Sequence, residues 1–265
     1  MYIATHPTVV PFHAHMLAIC SGSHYQARPY KGAIPINKTN SALPPLGWFG
    51  IRPRTMILTD IHTHINDGCA CTTSSVNNNN SAAAVTSYAT AGIHPWHIAS
   101  NREEQLKQIA SLAKEGTIVA IGECGIDKIK SPASIALQRE ILAAHALIAE
   151  QNNIPLILHC VKAQDDIIAL HREIKPAQAW IVHGFRGKPQ QAEQLTKEGL
   201  YLSFGEQFNP ESVAVTPADK LFVESDTGSK NIEEIYRIIA AARGITVEKL
   251  AATTLENAKR CGFPF

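Results

Sequence analysis

Two histidines stand two residues apart in ILTDIHTHIN, residues 57–66. On an extended strand, residues i and i+2 share a face, so His62 and His64 project together. Four more reactive side chains close short apolar runs further along: Glu123 in AIGECGID, His159 in LILHC, His183 in WIVHG and Asp226 in FVESD. Chance can place one core histidine at such a point. Buried polar groups need partners, however, and six from five different runs can only meet each other or a shared ligand. Four imidazoles and two carboxylates make the donor set of a binuclear metal site. Imidazole suits zinc, iron and manganese, while carboxylate also suits magnesium and manganese. Two divalent ions (Mg, Mn or Zn) about 3.5–4 Å apart activate a water and stabilise charge on the oxygens of an ester, which is hydrolytic chemistry.

The elements that must carry these groups are legible in the pattern of apolar runs. Seven candidate strands cover residues 57–62, 86–93, 117–123, 155–159, 179–183, 200–204 and 221–224. Each is brief, largely apolar and followed by a polar turn, as parallel strands buried on both faces are. Helical patterns lie between them. Ser100-Asn101-Arg102-Glu103 reads as a capping box, Ser131-Pro132 as an N-cap with proline at N1, Lys188-Pro189 as a third start and Asn231 as a fourth, with a last helix over 247–259. Alternating strands and helices predict an α/β architecture, either an open doubly wound sheet or a barrel. The reactive residues fall at strand C-terminal ends, where parallel α/β folds assemble their sites. Residues 66–84, containing CTTSSVNNNNSAAA, break the rhythm and read as a polar loop, so one βα unit is expected to be reduced.

Composition sets the frame. The 265 residues are 45% hydrophobic and 18% charged, enough for one substantial core. Residues 1–55 hold seven of the 15 prolines, no Asp or Glu, and five basic residues. They are expected to be a disordered extension, with Met56 as the natural start and a barrel domain over 56–265. Without that extension 19 Lys and Arg face 23 Asp and Glu, about −4, so no global basic signature for nucleic acid exists. No run approaches the roughly 18 apolar residues of a membrane span, and nothing calls for an obligatory protein partner. Six cysteines without disulfide or zinc-finger spacing fit a reducing cytoplasm. There is no GxSxG elbow, P-loop or dinucleotide fingerprint.

DIHTH, GIHPW, GECGID, LILHC, VHGFRG and ESD, in this order over residues 56–265, resemble the TatD family of metal-dependent deoxyribonucleases. DxHxH alone also opens other hydrolases; the ordered set is the specific feature. The resemblance implies a distorted TIM barrel acting as an exonuclease on DNA or a nucleotide-like phosphodiester. It implies that His62, His64 and Asp226 hold one metal, Glu123 bridges both, and His159 and His183 complete the second. Asp226 would deprotonate the attacking water, with Glu224 as its orienting neighbour, and His94 and Lys162 would contact substrate. Trp96 offers a face for base stacking, although such a tryptophan is more often loop packing. Three departures concern the substrate side: Val161-Lys162 stands where relatives carry arginine, Lys128 replaces a common aromatic, and residues 66–84 are short and polar. Other readings of the same site are a hydrolase of another small ester, phosphoester or amide, and a catalytically idle binding protein.

Overall fold

The computed structural model describes residues 56–64, 74–80 and 86–265; the extension expected over 1–55 lies outside them. The elements follow in the order β1 (Ile57–His64), β2 (Ser74–Asn80), β3 (Thr86–Ala91), α1 (Arg102–Lys114), β4 (Ala120–Asp127), α2 (Ile135–Asn152), β5 (Leu156–Val161), α3 (Gln164–Ile174), β6 (Trp180–Val182), α4 (Pro189–Lys197), β7 (Tyr201–Phe204), α5 (Pro210–Val215), β8 (Leu221–Val223), α6 (Ile232–Arg243) and α7 (Val247–Arg260). All eight strands lie side by side in chain order. From β3 to β8 every pairing is parallel. The sheet curls until β1 meets the chain after β8: Thr63 bridges Asp226, with Asp226 N donating to His62 O at 2.9 Å and His64 N to Asp226 O at 3.3 Å. This is a distorted TIM barrel, as expected.

The eighth strand is a correction. The Asn-rich stretch expected as a loop contains β2, paired antiparallel with both β1 and β3. Asparagine is depleted in strands and the segment shows no apolar alternation, so neither sequence signal marks it; the backbone ladders on both sides form it. An antiparallel insert also lets β1 and β3 run the same way without a crossover helix, and that is the reduced unit. Two helix starts differ as well. Asn101 precedes α1 without a side-chain cap bond, and α2 begins after Ser134, whose hydroxyl accepts from Leu137 N at 3.2 Å. Ser131 is used otherwise, its hydroxyl donating to Pro95 O at 2.6 Å. Either serine of SPAS could cap, and tertiary contact decides.

Strand alternation carries the architecture into the site. Ile157, Ile181, Tyr201 and Phe222 pack with Ala120 and Phe263 in one buried cluster, while Leu156, Leu158, Trp180, Val182, Leu202, Leu221 and Val223 pack in the other, with the helices. Two residues beyond Ile157, Ile181 and Phe222 come His159, His183 and Glu224, which period-2 alternation places on the enclosed face. Full burial of each such aliphatic side chain contributes about 1.5–3 kcal/mol. Cys124 and Cys160 take the helix side, as expected.

Closure depends on polar pairs between distant segments. Ser225 N donates to Asp60 Oδ1 at 2.9 Å, and Ser225 Oγ lies 2.5 Å from Asp60 Oδ2. The Tyr236 hydroxyl links α6 to both the Thr59 N–H (3.1 Å) and Thr59 O (2.9 Å), and to Thr254 on α7 (2.7 Å). Among the described residues no helix is long and apolar enough to cross a membrane. Burial drives the Asp60 carboxyl up from 3.8 to about 7, against the opposing Ser225 hydrogen bonds. A raised folded-state value means the fold holds a proton that the unfolded chain releases, so this contribution is complete below about pH 4 and is lost as pH rises through about 7. Urea unfolding of the metal-free protein should therefore show a smaller loss of stability between pH 4.5 and 7.5 in Asp60→Asn than in wild type. Ser225→Ala should cost about 1–2 kcal/mol at either pH.

Candidate metal centre

Glu123 sits in β4 between two glycines, and the backbone explains both. At Gly125 (φ 144°) a Cβ would stand 2.0 Å from His159 O, and at Gly122 (φ 149°) one would stand 2.6 Å from Ile157 O. Only glycine allows β4 to lie this close to β5. The buried Glu123 carboxylate then meets five imidazoles. Oε1 is 2.7 Å from His159 Nδ1, 2.7 Å from His183 Nε2 and 3.1 Å from His94 Nε2. Oε2 is 3.5 Å from both His62 Nε2 and His64 Nε2. Asp226 closes the other side, its Oδ1 3.8 Å from His62 Nε2 and 3.5 Å from His64 Nε2. All six expected ligands converge.

The donor set fits divalent cations. His62, His64 and Asp226 form one group whose potential ligand atoms lie within 4.8 Å of one another; His62, Glu123 and His183 form a second. Both ring nitrogens of His62 are buried without a hydrogen-bond partner, an arrangement that costs free energy unless a ligand satisfies one of them. Charge points the same way. Burial opposes ionisation of Glu123, but His183 and His159 outweigh it and hold the carboxyl well below its usual range. Burial likewise opposes protonation of His183, and Glu123 overrides it, raising His183 well above the usual histidine value. In metal-free protein a proton on the imidazoles supplies the positive charge that a cation supplies when bound.

His94 belongs to a third donor group, with Glu123 and His159, but its ring chemistry differs. Its Nδ1 accepts from Trp96 N at 3.2 Å, so a neutral ring carries its proton on Nε2 and donates to Glu123. A ligating histidine does the reverse, donating from its outer nitrogen. His159 has that geometry: Nδ1 faces Glu123 and Nε2 lies 3.1 Å from Asp127 Oδ2. Glu224 supports His183 similarly, 3.5 Å from Nδ1, while accepting from Gly184 N at 2.6 Å. Lys162 follows β5 with a left-handed backbone (φ 54°), and its exposed side chain has no hydrogen bond or ion pair among the described residues.

Asp127 was not anticipated as a site residue. Its Oδ1 accepts from Ile129 N (2.8 Å) and Lys130 N (2.9 Å), and its Oδ2 from the Trp96 indole N–H (2.6 Å) as well as facing His159. Burial would raise the carboxyl, but the donors around it bring it down to about 2. The available signal was parity, since residues 123, 125 and 127 of one strand share a face. Gln138 clamps the same point from α2, its Oε1 accepting from Asp127 N at 2.7 Å.

Because the proton on His183 must leave before a cation binds, metal affinity should fall as pH drops below the raised His183 value, by about tenfold per pH unit for each proton displaced. Calorimetric titration of chelator-stripped protein at two pH values, with buffers of different ionisation heat, reads both the affinity and the protons released. His62→Ala should lower bound metal per chain, measured by elemental analysis, while Gly125→Ala should destabilise the fold by more than about 3 kcal/mol through the clash with β5.

The family model described as "TatD related DNase" matches residues 59–262. A Bacillus subtilis (strain 168) protein described as "Uncharacterized metal-dependent hydrolase YabD" is 33% identical over 196 residues, 65% of this chain and 76% of that protein. The Erwinia amylovora "3'-5' ssDNA/RNA exonuclease TatD" is 28% identical over 199 residues, again 65% and 76%. In fold, the crystal structure of YjjV, a TatD homolog from Escherichia coli K12, matches with a TM-score of 0.59 at 23% identity, covering 66% of this chain and 76% of its own. The barrel, the ordered motifs and this match over most of the chain agree: the protein belongs to the TatD-related DNase family.

Proposed function

We propose that this protein is a metal-dependent phosphodiesterase that cuts single-stranded nucleic acid from an end. The observation that carries the reading is the convergence of five imidazoles on Glu123, with Asp226 on the other side of His62 and His64, at the C-terminal ends of the barrel strands. The name of the Erwinia relative supports nucleic acid as substrate.

His62, His64 and Asp226 would hold one divalent ion, His159 and His183 the other, with Glu123 shared between them. When bound, such ions polarise a phosphodiester oxygen and lower the pKa of a coordinated water. The remaining steps belong to the chain's own groups. The Asp226 carboxylate, whose side chain is 21% exposed, receives the proton of the attacking water. His94, whose Nε2 proton points to Glu123, would give that hydrogen bond to a phosphate oxygen in exchange for the carboxylate; burial lowers its pKa, so it would do this as a neutral imidazole. Lys162 supplies point charge to the substrate backbone without the two-pronged geometry of arginine. Cys124, Cys160 and Cys261 are free thiols, which is compatible with a reducing cytoplasm.

Protein stripped of metal and reloaded with Mg, Mn or Zn should degrade single-stranded DNA from an end, and a chelator should stop it. Asp226→Asn should lower kcat by about 10²–10⁴-fold, the usual weight of a positioned base, with assays run at saturating metal because the change also removes a charged ligand. Hydrolysis that survives both treatments overturns the proposal. A panel including small phosphoesters and amides separates nucleic acid from another substrate.

A further inference from the structure

Trp96 is 38% exposed and Ile129 64%, two of the four large hydrophobic side chains left exposed among the described residues. They are not scattered. Trp96 lies in a 3-10 turn, Pro95–His97, that follows the barrel strand β3, and its ring centroid stands 4.7 Å from that of His94 and 5.7 Å from that of His159. One carboxylate fixes the whole lip: Asp127 takes the Trp96 indole N–H together with the backbone N–H groups of Ile129 and Lys130. Packing alone does not require an exposed indole to be held by a 2.6 Å bond to a residue that also orients a candidate metal ligand.

The charges beside it are unequal. Lys128 is engaged by Asp166 at 2.5 Å. Lys130 has no ion pair among the described residues, and its Nζ stands 4.8 Å from the Trp96 ring centroid. A rigid aromatic surface beside a cation that has no carboxylate partner among the described residues, next to a hydrolytic centre, matches a flat heterocycle joined to a phosphate. Every nucleobase offers a π-face, and stacking on an aromatic side chain is tolerant of sequence.

We propose that Trp96, held by Asp127 and flanked by Lys130, is the seat of the nucleobase adjacent to the scissile phosphate. The proposal rests on the nucleic-acid reading above and adds the contact that would make this enzyme prefer a base-bearing end. Trp96 binds the base; Asp127 is the positioning residue that sets the ring and His159 together.

The test uses the full metal-loaded chain and two single-stranded oligonucleotides, one ordinary and one abasic at its terminal positions. Wild type should prefer the ordinary oligonucleotide in kcat/KM by roughly 5- to 150-fold, the range expected for one stacked base. Trp96→Phe should keep most of that ratio, and Trp96→Ala should bring it towards unity whatever its absolute rate. No preference in wild type, or an undiminished one in Trp96→Ala, overturns the seat while leaving the hydrolysis reading intact. If neither oligonucleotide is cut, the hydrolysis reading fails and binding decides the seat. Thymidine 5′-phosphate binding better than deoxyribose 5-phosphate, with the difference lost in Trp96→Ala, supports it; equal binding of the two overturns it.

Discussion

A buried carboxylate ringed by imidazoles is the constraint around which this molecule is organised. Removing an ionised carboxylate from water costs several kcal/mol unless positive charge and hydrogen bonds replace the solvent. Five histidines carried on β1, β5 and the segments after β3 and β6 surround Glu123: His94, His159 and His183 lie within hydrogen-bond distance, and His183, its pKa raised by the carboxylate itself, brings charge. No local segment could supply them. The barrel is what allows side chains 61 residues apart at one end of the sequence and 60 at the other to share two oxygen atoms, and the glycines on either side of Glu123 bring its strand close enough to do so.

The same requirement explains why closure is reinforced near the site. Two of the imidazoles and one carboxylate stand at the seam between β1 and the chain after β8, where the pairing is reduced to the Thr63–Asp226 bridge. Asp226 itself has a left-handed backbone (φ 50°), a conformation uncommon for residues other than glycine that clusters at functional sites. The Asp60–Ser225 pair and the Tyr236 hydroxyl bind this seam from the two adjoining layers. A seam that shifted by one residue would turn His62 and His64 away from Glu123, so the polar pairs there preserve register as well as stability.

Outward from Glu123, each ring nitrogen's second partner assigns its job. Asp127 turns the Nδ1 of His159 inward, and Glu224 approaches the Nδ1 of His183. A backbone N–H on Nδ1 of His94 leaves that ring with a proton to give. Three histidines that look alike in sequence are thus distinguished by their contacts, with residues as far as 41 positions away. Asp127 carries the influence to the lip by holding Trp96.

The sequence by itself determined seven of the eight strands and the six side chains that converge at their ends, because buried parallel strands are continuous apolar runs and a polar residue ending such a run has few reasons to be there. It also showed that residues 66–84 interrupt the repeat. Only the tertiary structure decided that this stretch contains a strand, since β2 is made by backbone ladders to β1 and β3 and not by side-chain pattern. Likewise the choice of Ser134 over Ser131 as cap, the Asp60–Ser225 pair and the fourfold role of Asp127 depend on partners brought together by folding. Residue type and spacing report what a side chain can do; which partner it meets is set by the packing of segments that the chain order keeps apart.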